Sequence, residues 1–151
     1  MRIFLIGLVL VAFALSCAAI AEKDYAQAGR FNISFDINKT HEIVKEADGE
    51  NQTITLKTFD GRAEISILKI SSGAAKDVVD AVSHSWGETI HDDVRVDGQD
   101  GKIGLLGTLE YKPFYVIIYP VDLYHQATIL STMPFLDTAH LLETIHIEKI
   151  K

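Results

Sequence analysis

Residues 114–119 read Phe-Tyr-Val-Ile-Ile-Tyr, apolar or aromatic at every position. A run this short, ended by Pro120, reads as a β-strand rather than a buried helix. Successive side chains of a strand point to opposite faces, so this one presents apolar groups on both. A strand of that kind is central in its sheet and covered on both sides. The chain is therefore expected to fold with one layer above the sheet and another below.

The flanking sequence supplies the remaining elements. Phe31, Ile33, Phe35 and Ile37 alternate with Asn32, Ser34, Asp36 and Asn38, the pattern of a half-buried strand with Asn32 on its wet face. Residues 41–47 form a second short strand, followed by an Asp48-Gly49 turn. Residues 52–59 and 62–70 are two strands joined through Asp60-Gly61 as a β-hairpin. Ser71-Ser72-Gly73 opens a helix, where serine oxygens can cap free N–H groups. Ala75, Val78, Val79, Val82 and Trp86 make its apolar stripe, and Gly87 is placed to end it in a left-handed conformation. Strands are predicted at 89–96 and 102–110 around a turn over 97–101, with Gly104 and Gly107 marking close packing or a bulge. Pro120 should end the 114–119 strand, and 125–132 supplies another. Pro134 fits the first turn of a last helix, whose buried stripe is predicted as Phe135, Leu136, Ala139, Leu142 and Ile145. Residues 146–150 close the chain as a short strand, and residues 22–30 read as a polar lead-in. No repeat, low-complexity tract or linker interrupts this order. The economical solution is a single α+β domain over residues 31–151, a mainly antiparallel β-sheet with two helices packed on it.

That order of elements resembles the PsbP-like superfamily of small exported α/β/α sandwich domains. The stretches "GRFNISFDI" and "ATILSTMPFLDTAHLLETIHIEK" carry the resemblance. It covers most of residues 29–149 and is one of pattern, without an invariant motif. It implies an α/β/α sandwich and a non-catalytic accessory or binding role, and it assigns no site residues.

Residues 1–21 are expected to be a signal peptide. Arg2 is the only charge before Glu22, residues 3–15 are an unbroken apolar run, and small residues follow. The run falls short of the roughly 20 residues that span a bilayer comfortably, although counting on to Ala21 leaves a retained anchor open. Ala19-Ile20-Ala21 favours cleavage before Glu22. The alternative is lipidation at Cys17, against which the leucine at 15 stands one place late for a lipoprotein signal. Residues 22–30 are accordingly a lead-in or a tether, and the product is secreted, periplasmic or cell-surface. Membrane association is expected only through such an N-terminal anchor.

Cys17 is the single cysteine. After cleavage at Ala21 no thiol remains, which excludes thiol catalysis, cysteine–zinc sites and iron–sulfur chemistry. Stability must then come from a packed core, for which about 130 residues suffice. Asn32, Asn38 and Asn51 each begin an Asn-x-Ser/Thr sequon and are glycosylation acceptors in an exported chain. With 21 acidic against 14 basic residues and no basic run, the chain is a poor nucleic-acid binder.

The residues that could carry chemistry are scattered. His84, His91, Asp92 and Asp93 are the metal-ligand candidates, but their spacing matches no established pattern, so no metal or cofactor is expected. Asp92, Asp93, Asp97 and Asp100 lack the fixed offsets and closing glutamate of an EF-hand calcium loop. His125, His140 and His146 share the last third with Ser131, without a Gly-x-Ser-x-Gly elbow, and no catalytic residue is assigned. The most suggestive feature is aromatic. Tyr111, Phe114, Tyr115, Tyr119 and Tyr124 fall close together, and tyrosine offers apolar area with a wet hydroxyl suited to a binding surface. The expectation is an exported non-catalytic binding or accessory domain for an unidentified protein or small-molecule ligand. The alternatives are a small metal-dependent or histidine-based hydrolase and a self-assembling structural envelope protein.

Overall fold

The computed structural model describes residues 23–48, 51–71, 73–85, 90–109 and 112–151. Along these residues run β1 (Asp24–Ala28), β2 (Phe31–Phe35), β3 (Glu42–Asp48), β4 (Asn51–Lys57) and β5 (Arg62–Lys69). Helix α1 (Ala75–Ser85) follows, then β6 (Ile90–Val96), β7 (Gln99–Leu109), β8 (Lys112–Asp122) and β9 (His125–Ser131). Helix α2 (Phe135–Thr144) and β10 (His146–Lys149) complete the order. The strands form two antiparallel sheets, a large one ordered β3-β4-β5-β9-β8-β7-β6 and a small one ordered β1-β2-β10. The protein is thus α+β, with two helices among mainly antiparallel strands in the described residues.

The 114–119 run lies inside β8, between β7 and β9, with Ile117 opposite both Ile103 and Ile129. Its alternate residues serve two faces. Ile117 and Tyr119 join Ile54, Leu56, Ile65, Ile67 and Ile129 in one cluster that also takes in Ile33 and Phe35 of β2. Val116 and Ile118 are buried outside that cluster, on the face where α1 packs against β7, β8 and β9. Among the described side chains of α1, Ala75 and Val79 are buried. Phe31, Ile33, Phe35 and Ile37 are all buried as their alternation requires, while Asn32 is half-buried in the middle strand of the small sheet.

Several elements differ from the sequence reading. The lead-in contains β1, a strand whose Ala26 and Ala28 are buried against the core. Alanine is a weak strand signal, and pairing with β2 decides the conformation here. Pro120 does not end β8, which continues to Asp122 across a register shift, a place where a missing N–H is tolerated. The β6–β7 turn is confined to Asp97-Gly98, because β7 already starts at Gln99. A second register shift lies between Leu105 and Gly107. Trp86 and Gly87 lie outside the described residues.

Helix α2 buries Leu142, with Ile145 at its C-cap, as expected, but not the start of the expected stripe. Phe135 and Leu136 are 59% and 79% exposed, and the buried positions are Thr138, Leu141 and Leu142. Threonine qualifies because its hydroxyl is satisfied. Thr138 Oγ1 shares a hydrogen bond with Ser131 Oγ at 2.8 Å and donates to the Met133 carbonyl at 3.3 Å.

Side-chain links join the small sheet and α2 to the elements around them. In the β6–β7 turn Asp97, at φ 53°, accepts from His146 Nδ1 at 2.5 Å and from the Ile147 amide at 2.8 Å. At the end of β2 the Asp36 amide donates to Thr144 Oγ1 at 3.0 Å, and that hydroxyl lies 3.1 Å from the Asp36 carbonyl. Lys39 joins three segments: its ammonium bonds Asp60 at 2.6 Å and Asp137 at 2.5 Å and lies 5.3 Å from the Phe59 ring centre.

Candidate ligand pocket between the sheets

The β1–β2 turn and the end of β10 meet the end of β5 and the β8–β9 turn around a pocket of about 380 Å³. From the small sheet come Gly29, Arg30, Phe31 and Lys149, and from the large sheet Gln52, Lys69, Tyr124 and His125. Gly29 is required twice over. Its φ of 57° is left-handed, and a Cβ there would stand 2.7 Å from Gln52 Cδ. The carbonyl of Arg30 accepts from the Ile150 amide at 2.7 Å, which fixes the end of β10 beside the turn. On the opposite wall the Tyr124 carbonyl accepts from the Ile70 amide at 2.8 Å, and the Tyr124 amide donates to Asp122 Oδ1 at 2.7 Å.

His125 is held from both sides. Its Nδ1 lies 2.7 and 2.9 Å from the two Asp122 carboxylate oxygens, and its ring meets Phe31 edge-on at 4.9 Å. Burial works against ionisation of Asp122, but hydrogen bonds from His125 and from the Tyr124 and His125 amides outweigh it and hold its carboxyl below the usual range. A carboxyl lowered on folding stabilises the native state above its unfolded value, about 4, and loses that effect as the pH falls through its folded value. Asp122→Asn should therefore be less stable than the parent at pH 7, with the gap closing below pH 4. Urea denaturation of both proteins at pH 7 and pH 3 checks this, and a gap that widens in acid would refute it.

The pocket lining is cationic. Arg30, Lys69 and Lys149 contribute to it, and among the described residues no carboxylate does, although the chain as a whole carries −7. Tyr124, 56% exposed, supplies an aromatic wall. A second pocket of about 340 Å³ lies at the other end of β4 and β5, with Lys57, Arg62 and Lys112 in its lining. There the Lys112 ammonium is already bonded to the Asp60 carbonyl at 2.6 Å.

The structure divides the aromatic set expected to bind. Tyr124 reaches the first pocket. Phe114 and Tyr115 are half-buried, Tyr115 with its ring 6.0 Å from that of Phe135. Tyr111 lies outside the described residues. Tyr119 is corrected from surface to core: it is fully buried and its hydroxyl has no hydrogen-bond partner among the described residues. Burial, with the charge of Asp97 adding to it, pushes its phenol well above the usual range. An unpaired buried hydroxyl is destabilising, so Tyr119→Phe is expected to raise stability by about 1 kcal/mol. A higher urea midpoint at unchanged slope is the readout; a lower midpoint would show that the hydroxyl does have a partner.

The other chemical candidates do not converge. His125, His140 and His146 each pair with a different aspartate, Asp122, Asp36 and Asp97 respectively. Ser131 is fully buried and its hydroxyl is shared with Thr138 and the Met133 amide. Asp93 is bound to Lys102, and Asp100 to Arg95 at 2.6 Å. The side chains of His84, His91 and Asp92 lie outside the described residues, as does Cys17 with the rest of residues 1–22. Among the described residues no group of three or more His, Cys, Asp or Glu side chains is placed to hold a metal ion. Of the sequon asparagines, Asn38 and Asn51 are exposed.

Sequence reasoning missed Arg30, Gln52, Lys69 and Lys149. They lie far apart along the chain and are brought together only by the docking of two sheets. No described helix is long and apolar enough to cross a membrane. No protein-family model, curated protein or solved structure matches the chain.

Proposed function

We propose that this chain is an exported, non-catalytic binding or accessory domain that takes its ligand between the two sheets. The observation that carries the reading is the pocket of about 380 Å³ to which each sheet contributes four residues. Its volume lies in the range of small-ligand sites, about 300–1,000 Å³. The non-catalytic part is supported by Ser131, His125, His140 and His146, each of which is engaged by a structural partner. Export is supported by the charge and apolarity of residues 1–21. The PsbP-like α/β/α arrangement belongs to the same proposal, supported by α1 against β7, β8 and β9 and by α2 against β2.

Two measurements test it. Intact mass and N-terminal sequencing of protein from its native host should show a chain beginning at Glu22, or at a lipid-modified Cys17; a chain retaining Met1 in the cytoplasm would defeat the export reading. For binding, a fragment-library titration followed by amide chemical shifts should move Arg30 and Lys149 together with Lys69 and Tyr124. Fragments that perturb other surfaces and leave those four amides still would sink the pocket as the site.

A further inference from the structure

The pocket's lining also defines the chemistry of its ligand. We infer that it takes a small anion attached to a flat apolar group, such as an aryl carboxylate or an aryl phosphate monoester. This rests on the binding-domain reading above.

The charge argument comes first. On a chain of net charge −7, a lining that holds Arg30 and Lys149 and, among the described residues, no carboxylate reverses the overall sign. A concave cationic site on an acidic protein focuses its field on an incoming anion. Among the described residues neither Arg30 nor Lys149 has an ion-pair or hydrogen-bond partner for its side chain, so neither charge is already spent on an internal carboxylate. A guanidinium can grip a carboxylate or phosphate through two parallel N–H···O bonds, with the lysine ammonium as a second point charge.

The flat group follows from the opposite wall. Tyr124 is 56% exposed although its backbone is fixed by hydrogen bonds at both its amide and its carbonyl. The ring is therefore presented on a rigid base. Beside it in the lining, the His125 ring is fixed by its edge-on contact with Phe31. Arg30 and Lys149 on the small-sheet side, facing the exposed ring of Tyr124 on the large-sheet side, suit a ligand with one charged end and one planar end. The size of the pocket, about 380 Å³, holds a ring with its substituents rather than a polymer segment.

The test uses the full chain and four probes: phenyl phosphate, benzoate, inorganic phosphate and benzyl alcohol. Titration calorimetry supplies affinities, and amide chemical shifts supply location. At least one of the two aryl anions should bind in the pocket, more tightly than inorganic phosphate and far more tightly than benzyl alcohol. Which of the two binds better decides between a carboxylate and a phosphate ligand. Arg30→Gln combined with Lys149→Gln should weaken that anion by about tenfold or more. Tyr124→Ala should weaken it while leaving any inorganic phosphate binding unchanged. These three side chains are exposed, and unaltered thermal unfolding would show that the variants fold. Benzyl alcohol binding as tightly as the anions, with shifts at the pocket, would overturn the anion inference and leave the binding site standing. Anion binding that ignores the double variant would overturn it as well. If no probe moves the pocket amides, both the inference and the site fall.

Discussion

Gly101→Ala should destabilise the protein by about 3 kcal/mol and lower its melting temperature by about 10 °C. Gly101 sits on β7 directly beside β8. A Cβ at that position would lie 2.5 Å from the Ile118 carbonyl oxygen and 2.7 Å from Tyr119 Cβ. The oxygen is main chain of β8, an interior strand, so it cannot move aside without opening the β7–β8 ladder. Gly98 provides the comparison. Its φ is 72°, and an added Cβ there meets nothing within 4 Å, so Gly98→Ala should cost only the backbone strain, about 1 kcal/mol. Urea denaturation of the two variants against the parent measures both. Equal losses would mean that conformation, not the close approach of two strands, sets the requirement at Gly101.

The second large effect is expected at Ile117. It is fully buried and stands between Ile103 and Ile129 on the face of β8 that meets the small sheet. Three isoleucines side by side on neighbouring strands leave little freedom to close a gap. Ile117→Ala should cost about 4 kcal/mol, and Ile117→Val about 1 kcal/mol. Leu123→Ala, in a turn and 58% exposed, should change stability by less than about 0.5 kcal/mol. A loss at Ile117→Ala no larger than that of Leu123→Ala would contradict the placement of β8 at the centre of the core.

Much of this core is readable in the sequence because hydrophobic periodicity is strong where burial is strong. Phe31, Ile33 and Phe35 alternate and Phe114 to Tyr119 do not, and both stretches are strands, the second an interior one of the large sheet; that they lie in two sheets and not one is not legible in the pattern. Periodicity fails where buried residues are small or polar. Ala26 and Ala28 give β1 no strand signal, and Thr138 looks like surface until Ser131 is found opposite its hydroxyl. The aromatic reading groups Tyr124, which lines the pocket, with Tyr119, which belongs to the core. Proximity in sequence cannot say which face of a strand a ring takes. The pocket was hidden for a different reason. Arg30 and Lys149 are exposed charges at strand ends, a common kind of residue, and their meaning depends on Lys69 and Tyr124 being opposite.

Among the described residues no strand of one sheet pairs with a strand of the other. The width of the pocket is therefore set by side-chain packing and by links such as Asp97 to His146, not by a continuous ladder of backbone bonds. An occupant touching Arg30 and Lys149 on one side and Lys69 and Tyr124 on the other would act as a strut across this junction. β10 runs from the Asp97 latch to the pocket wall, so the strut would bear on its far end. Slower amide exchange along this short C-terminal strand would then carry news of an occupied pocket to the opposite side of the molecule.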